Sequence, residues 1–221
     1  MPVDVGLSCT CGAVTGVVRG VTEANSRRLA CMCDDCQVYA HYLRRAGEIL
    51  DEQGGTDLSY ATQSRVSISS GRDRLRAVRL AEGGVLRVYA GCCRTPVANV
   101  PSPKLAFVGI PHLFLRGGAG GPSRDALLGP LTLRLQGRFC RGELPEGAHR
   151  GTPFTPWLKA MLRVTWDTIC KQYRPSAFHE PVSLAPFVVP AVLSASDVEE
   201  LRRPLAHLRA LPSSLEPLGC R

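Results

Sequence analysis

From Leu7 to about residue 115 the chain runs in short stretches of alternating apolar and polar residues, each closed by turn chemistry. "LSCTCGAVTGVVRG" (7–20) reads as two short strands around a turn, with Gly12 directly after Cys11. "RRLACM" (27–32) is a further extended run. "LSYAT" (58–62), "RVSIS" (65–69), "RLRAVRL" (74–80) and "VLRVYA" (85–90) follow, separated by "QGGT", "SGRD" and "AEGG". "PVANV" (96–100) and "AFVGI" (106–110) continue the series. Short strands at regular spacing with Gly-rich turns predict an antiparallel β domain. One interruption is helical: after Asp34 the spacing of Val38, Tyr39, Tyr42 and Leu43 predicts a helix of about three turns, ending near Gly47.

Beyond residue 115 the pattern changes. "RGGAGGPS" (116–123) reads as a flexible break. "TPFTPWLKAMLRVTWDTICKQY" (152–173) predicts an amphipathic helix capped by Thr155, with Pro156 in its first turn. Leu158, Met161, Leu162, Thr165 and Ile169 fall on one side of it, and that stripe is expected to be its packing face. "SASDVEELRRPL" (194–205) carries a capping box, Ser196 with Glu199, and Pro204 is expected to end that helix. The fold class expected is mainly β, α+β overall. Residues 1–115 form the β domain, and 116–221 a helical extension that packs on it without being independent.

Composition supports a packed core. Of 221 residues 44% are hydrophobic and 21% charged, close to globular averages. The formal net charge of +8 comes mostly from arginine, the only lysines being Lys104, Lys159 and Lys171. Arginine suits planar, bidentate contacts to carboxylate or phosphate, so acidic small molecules come into view as partners. A basic composition can equally do no more than aid solubility. The arginines are spread along the chain without a basic tail or interleaved aromatics, which argues against nucleic acid. "MPVDVGLSCTCG" has no basic region followed by an apolar run, and no apolar stretch reaches the length of a membrane span. A cytoplasmic protein without a membrane partner is expected. In that setting clustered cysteines more often bind metal or do chemistry than form disulfides.

Seven of the ten cysteines fall into three groups: Cys9 and Cys11; Cys31, Cys33 and Cys36; Cys92 and Cys93. Cys140, Cys170 and Cys220 are isolated, and small buried apolar residues are the default reading for them. C-x-C on an extended segment points both sulfurs to one side. C-x-x-C at a turn opening a helix gathers two sulfurs around one centre. Soft thiolates so spaced suit zinc, at sulfur–metal distances of ~2.3 Å. In "CMCDDC" both patterns overlap, giving a three-sulfur face. Cys36 falls in the first helical turn, where free amides favour the thiolate, while Asp34 and Asp35 oppose it. A disulfide or redox switch is the competing reading of the same residues.

The order Cys9-Thr10-Cys11-Gly12, then Cys31-Met32-Cys33-Asp34-Asp35-Cys36, then "YAGCCRTP" (89–96) resembles the glutathione-dependent formaldehyde-activating enzyme family, which includes the centromere protein V group. The resemblance covers about residues 7–115, and the whole chain is most similar to a bacterial branch of that superfamily. It implies a Mss4-like β fold with two zinc ions. Cys9 and Cys11 would belong to a structural site shared with the third motif. Cys31, Cys33 and Cys36 would hold a second zinc whose fourth position takes water or a substrate thiol. The implied activity is that of a carbon–sulfur lyase, and the implied partner a small-molecule thiol or thiol adduct of the glutathione–formaldehyde type.

The third motif departs from the family's C-x-x-C-G-T. Ala90 stands where its first cysteine would be and Arg94 where its glycine would be, Cys93 matches the second cysteine, and Cys92 is extra. Three outcomes stay open. Cys92 and Cys93 both bind the structural zinc; Cys93 binds with a non-cysteine fourth ligand; or Cys92 turns to the other zinc and closes it.

Around these motifs Arg44, Arg45 and Arg94 can pair with carboxylates of a ligand or simply face solvent. His41 and His112 are candidate proton donors or fourth ligands, His112 the better placed because it ends a strand. Tyr39 and Tyr89 line a pocket or pack. A non-catalytic zinc-stabilised binding module is the alternative function, and homo-oligomerisation is left open.

Overall fold

Period-two alternation decides which residues face inward. In "VLRVYA" it turns Leu86, Val88 and Ala90 to one side and Arg87 and Tyr89 to the other. The computed structural model describes residues 2–22, 25, 27–116 and 123–210. The expected break at 116–123 falls largely on residues 117–122, and Cys220 on the C-terminal stretch, both outside the described residues.

The chain forms β1 (Val3–Ser8), β2 (Thr15–Val21), β3 (Arg28–Cys31), α1 (Asp34–Tyr42), α2 (Ala46–Ile49), β4 (Thr56–Ala61), β5 (Val66–Ser70), β6 (Leu75–Arg79), β7 (Leu86–Ala90), β8 (Pro96–Val100) and β9 (Val108–Pro111). It continues through α3 (Arg124–Leu128), β10 (Leu133–Leu135), α4 (Phe154–Ile169), β11 (Ala191–Val192) and α5 (Ala195–Ala210). A three-stranded sheet, β1-β2-β5, lies beside an eight-stranded one ordered β10-β3-β4-β9-β8-β7-β6-β11. The fold is mainly β and α+β overall, as its alternation predicts.

The main core lies between the sheets. Val5, Leu7, Val18 and Val66 of the smaller sheet meet Leu75, Leu86, Val88, Val97, Val108 and Ile110 of the larger. The outer face of the larger sheet carries α1 and α2, where Tyr39, Leu43 and Ile49 pack with Val78. The result is sheet, sheet and helix in three layers, the larger sheet in the middle and covered on both faces.

Three expectations about α1 and α5 change. The α1 helix stops before Gly47, because Arg44 takes the left-handed conformation that usually falls to glycine after a helix end, at φ 54°. The capping box of α5 is Ser194 with Asp197, two residues earlier than Ser196 and Glu199. The Asp197 amide donates to Ser194 Oγ at 3.1 Å and the Ser194 amide to Asp197 Oδ2 at 3.1 Å. Nor does Pro204 end α5, which runs on to Ala210. An interior proline costs ~3 kcal/mol. Leu205 and Val198 are buried with Val38 of α1, and each is worth about 1.5–3 kcal/mol, so packing offsets the proline.

The extension is not purely helical. β10 pairs parallel with β3 and β11 parallel with β6, covering both edges of the larger sheet. The α4 helix starts at Phe154 without a side-chain cap, so Thr155 lies inside its first turn. Apart from Met161, its expected packing stripe points outward, with Leu162 64% and Ile169 67% exposed. The rotation is set at its C-terminal end. There Thr168 Oγ1 accepts from the Ala106 amide at 3.1 Å, and Gln172 O from the Ser64 amide at 3.1 Å. These polar ties turn Ala160, Met161 and Val164 toward a cavity of about 440 Å³ beside Leu29, Tyr60 and Leu133.

Candidate metal centres

Four sulfurs meet where two turns converge. Cys9 and Cys11 lie in the β1–β2 turn and Cys92 and Cys93 in the β7–β8 turn. Their sulfur atoms all lie within 4.8 Å of one another. The two turns are built alike, since the residue after the second cysteine is left-handed in both, Gly12 at φ 78° and Arg94 at φ 55°. The Val14 amide donates to Cys9 Sγ at 3.3 Å, and the Arg94 amide to Ala90 O at 2.7 Å. The turns are tied together by Thr10 and Thr95, whose hydroxyls lie 3.1 Å apart.

Sulfur separations test whether this group fits zinc. Cys9–Cys11 is 3.5 Å, Cys9–Cys92 4.0 Å, Cys11–Cys92 3.3 Å and Cys92–Cys93 3.9 Å. A tetrahedron with zinc–sulfur bonds of ~2.3 Å has edges of about 3.8 Å, and the observed separations bracket that value. The grouping is the one that the first of the three outcomes for Cys92 requires. The adjacent pair joins Cys9 and Cys11, and Cys92 does not reach the other centre.

Arg45 braces this group. It donates from Nη1 to Cys93 O at 2.8 Å, Thr10 Oγ1 at 2.9 Å and Thr95 Oγ1 at 3.1 Å, and pairs through Nη2 with Glu48 at 2.5 Å. Its carboxylate partner is thus within the chain. Desolvation raises Cys93, but hydrogen bonds from Thr10 and Thr95 and from the Cys11 and Thr95 amides outweigh it and pull the thiol down to about 5. Partial desolvation and hydrogen bonding with Cys11 and Cys93 push Cys92 up to about 12.

The second group is Cys31, Cys33 and Cys36. Cys31 ends β3, Cys33 caps α1 in an extended conformation, and Cys36 follows in the first helical turn. Buried Gln37 locks this corner, donating from Nε2 to Met32 O and Phe139 O at 2.8 Å each. Asp34 pairs with Arg202 of α5 at 2.5 Å, so part of the acidic charge that opposes thiolates is neutralised.

Arg87 is the residue that sequence reasoning missed. It is 4% exposed and stands over the Tyr39 ring at 5.1 Å. Asn99 Oδ1 accepts from it at 3.3 Å, and no carboxylate pairs with it among the described residues. Hydrogen bonds from Cys31 and Cys33 hold Cys36 well below the usual thiol range, with help from the charge of Arg87. Cys31 rises through the hydrogen bonds it shares with Cys33 and Cys36. The available signal was an arginine inside the apolar run "VLRVYA". Its alternation points Arg87 toward α1.

The remaining predicted residues are dispersed. His112 and His41 belong to neither sulfur group. The His112 amide donates to Asp57 O at 3.0 Å, beside the Cys31–Thr56 register pair. His41 Nε2 lies 3.3 Å from Arg141 Nη2. Tyr39 packs, donating to Val88 O at 3.2 Å, while Tyr89 lines a surface cleft. Cys140 is half-buried and Cys170 exposed, so neither is a fully buried apolar filler.

A protein-family model described as a family of unknown function (DUF6151) matches residues 1–182. No curated protein matches the chain. Among the described residues no helix is long and apolar enough to cross a membrane. Both sulfur groups fit metal binding.

Proposed function

The chain belongs to the DUF6151 family of unknown function, and we propose that it is a two-zinc, carbon–sulfur lyase-like enzyme acting on a thiol adduct. Cys9, Cys11, Cys92 and Cys93 form the closed structural centre in this reading, and Cys31, Cys33 and Cys36 the reactive one. Its resemblance to the glutathione-dependent formaldehyde-activating enzymes points the same way.

The carrying observation is the balance of charge at the three-sulfur group. Three thiolates around a divalent cation leave one negative charge, and buried Arg87 supplies one positive charge. A permanent fourth protein thiolate would leave a standing unbalanced charge, so the arrangement suits a neutral resting ligand that a substrate thiolate replaces only during turnover. Zinc held there would favour the thiolate form of a bound thiol near neutral pH.

The chain's own residues supply the rest. Cys31 and Tyr60 pack against Leu29, Leu58 and Leu135, and Leu29, Leu135 and Tyr60 line the 440 Å³ cavity. Burial, then the charge of Cys31, Cys36 and Cys33, raises Tyr60 above the usual phenol range, so its hydroxyl stays protonated and acts as the donor. In the forward direction the thiol releases its proton to solvent and its sulfur pair bonds to an aldehyde carbon, while the carbonyl pair moves to oxygen, which takes the Tyr60 proton. Solvent then returns one proton to Tyr60. The reverse returns the carbon–sulfur pair to sulfur and releases aldehyde and thiol.

A non-catalytic binding module is the second reading. It is favoured by one observation: a cleft of about 820 Å³ opens on Cys92 of the four-sulfur group, not on the triplet.

Metal analysis of the wild type and Cys36→Ser, with a turnover screen on thiol–aldehyde adducts, decides between them. The enzyme reading expects two zincs, falling to one in a folded, inactive variant. A four-ligand protein site at the triplet, or no turnover with any thiol, would leave the binding module.

A further inference from the structure

A cleft of about 820 Å³ opens between the α1–α2 link, the start of β6 and the β7–β8 turn. Arg44, Arg74, Arg76 and Arg94 line it, with the Tyr42 and Tyr89 hydroxyls 3.4 Å apart. We propose that this cleft binds a small molecule carrying at least two oxyanion groups, phosphate or carboxylate.

Four observations carry the assignment. The side chains of Arg44, Arg74 and Arg94 make no ion pair or hydrogen bond among the described residues, whereas neighbouring Arg45 is fully engaged. Arg44 and Arg94 are also two of the few non-glycine residues at positive φ, at 54° and 55°. One follows the end of α1 and the other the second cysteine of the β7–β8 turn. Here they place two guanidinium groups on opposite turns around one opening.

Next, the arginines come from three separate segments and line an opening of about 820 Å³, room for a ligand larger than one oxyanion group. Guanidinium groups meet carboxylate and phosphate in the same bidentate manner, so both chemistries fit. Finally, only Asp73 opposes these charges within the cleft. The cleft stays positive even when the adjacent four-thiolate zinc centre adds two negative charges. The floor is fixed: the Gly91 amide donates to Arg74 O at 2.8 Å, and a side chain at Gly91 would meet Arg76 Cγ at 2.9 Å.

This site differs from the three-sulfur centre and does not depend on its being catalytic. The test is calorimetric titration of the zinc-loaded full chain with pyrophosphate, citrate and a single-stranded oligonucleotide. Arg74→Gln and Arg94→Asn are the variants, asparagine being chosen because it tolerates the left-handed position. Saturable 1:1 binding of pyrophosphate or citrate is expected, weakened about tenfold by each variant and by added salt, with zinc content unchanged. Pyrophosphate preference would assign a phosphorylated ligand and citrate preference a polycarboxylate. Binding of neither below millimolar concentration, binding indifferent to both variants, or arginine-dependent binding of the oligonucleotide alone would overturn the proposal.

Discussion

Arg45 donates a 2.8 Å hydrogen bond from Nη1 to the carbonyl oxygen of Cys93, joining the link after α1 to the turn that carries half of the four-sulfur group. The same guanidinium holds Thr10 and Thr95, which supply hydrogen bonds to the Cys93 sulfur. One side chain therefore sets the position of two turns that are far apart in sequence.

Arg45→Ala should loosen the four-sulfur centre while leaving the three-sulfur one filled. Charge-assisted hydrogen bonds of this kind are worth about 1.5–3 kcal/mol. Stability should fall by that order, and one zinc should pass to a chelator faster than in wild type. Glu48→Gln, which keeps Arg45 in place, should have a smaller effect. Equal loss of both metals would contradict the assignment of Arg45 to one centre.

Arg87→Met removes the buried positive charge that faces Cys36. Metal affinity at the triplet should drop about 10–100-fold, the usual cost of losing a partner of the ligands. Competition with a chromophoric chelator measures this, and Cys11→Ser, which strikes the other centre, is the reference. Unchanged affinity in Arg87→Met would remove the charge-balance argument.

Stripping both metals should lower the melting temperature and make it depend on added zinc. The β1–β2 and β7–β8 turns belong to different sheets, and their sulfurs join those sheets at one end. A ligand that binds only the folded state stabilises in proportion to the logarithm of its concentration. Re-addition of zinc should restore the transition; a melting point indifferent to zinc would count against a structural centre.

Buried His179 should make stability fall with acid. Burial, and then the charge of Arg79, lowers its pKa below the ordinary 6.5. The unfolded chain therefore takes up the proton first as pH drops through about 6.5, and the folded state loses ground until its own lower pKa is reached. The slope from one such group is at most about 1.4 kcal/mol per pH unit. Urea melts between pH 7.5 and 5.5 in zinc excess should show a shallower decline for His179→Gln. Parallel curves would exclude this histidine as a source.

The two long helices should respond oppositely to mutation. Leu162 on α4 is largely exposed, so Leu162→Gln should change stability by no more than about 0.5 kcal/mol. Leu205 on α5 is fully buried, and Leu205→Ala should cost about 2–5 kcal/mol. Reversal of that order would mean that α4 packs by the stripe its periodicity suggests.

Without showing β10 or β11, the sequence by itself determined most strands up to Pro111, the turn at Gly12, the strand-to-helix corner at Cys31–Cys36 and the membership of the three-sulfur group. These are local properties: alternation, turn residues and sulfurs within a few positions of one another. It could not decide the fate of Cys92, because that depended on where the β7–β8 turn lands relative to the β1–β2 turn. Nor could it identify Arg87 as the counter-charge of Cys36, since their proximity exists only once α1 lies on β7. The orientation of α4 and the continuation of α5 through Pro204 were likewise set by distant partners, Ala106 and Ser64 for one and Val38 for the other. Short-range patterns fix which side of an element is apolar. Which side is covered, and which charges meet, follows from the order in which the sheets and helices stack.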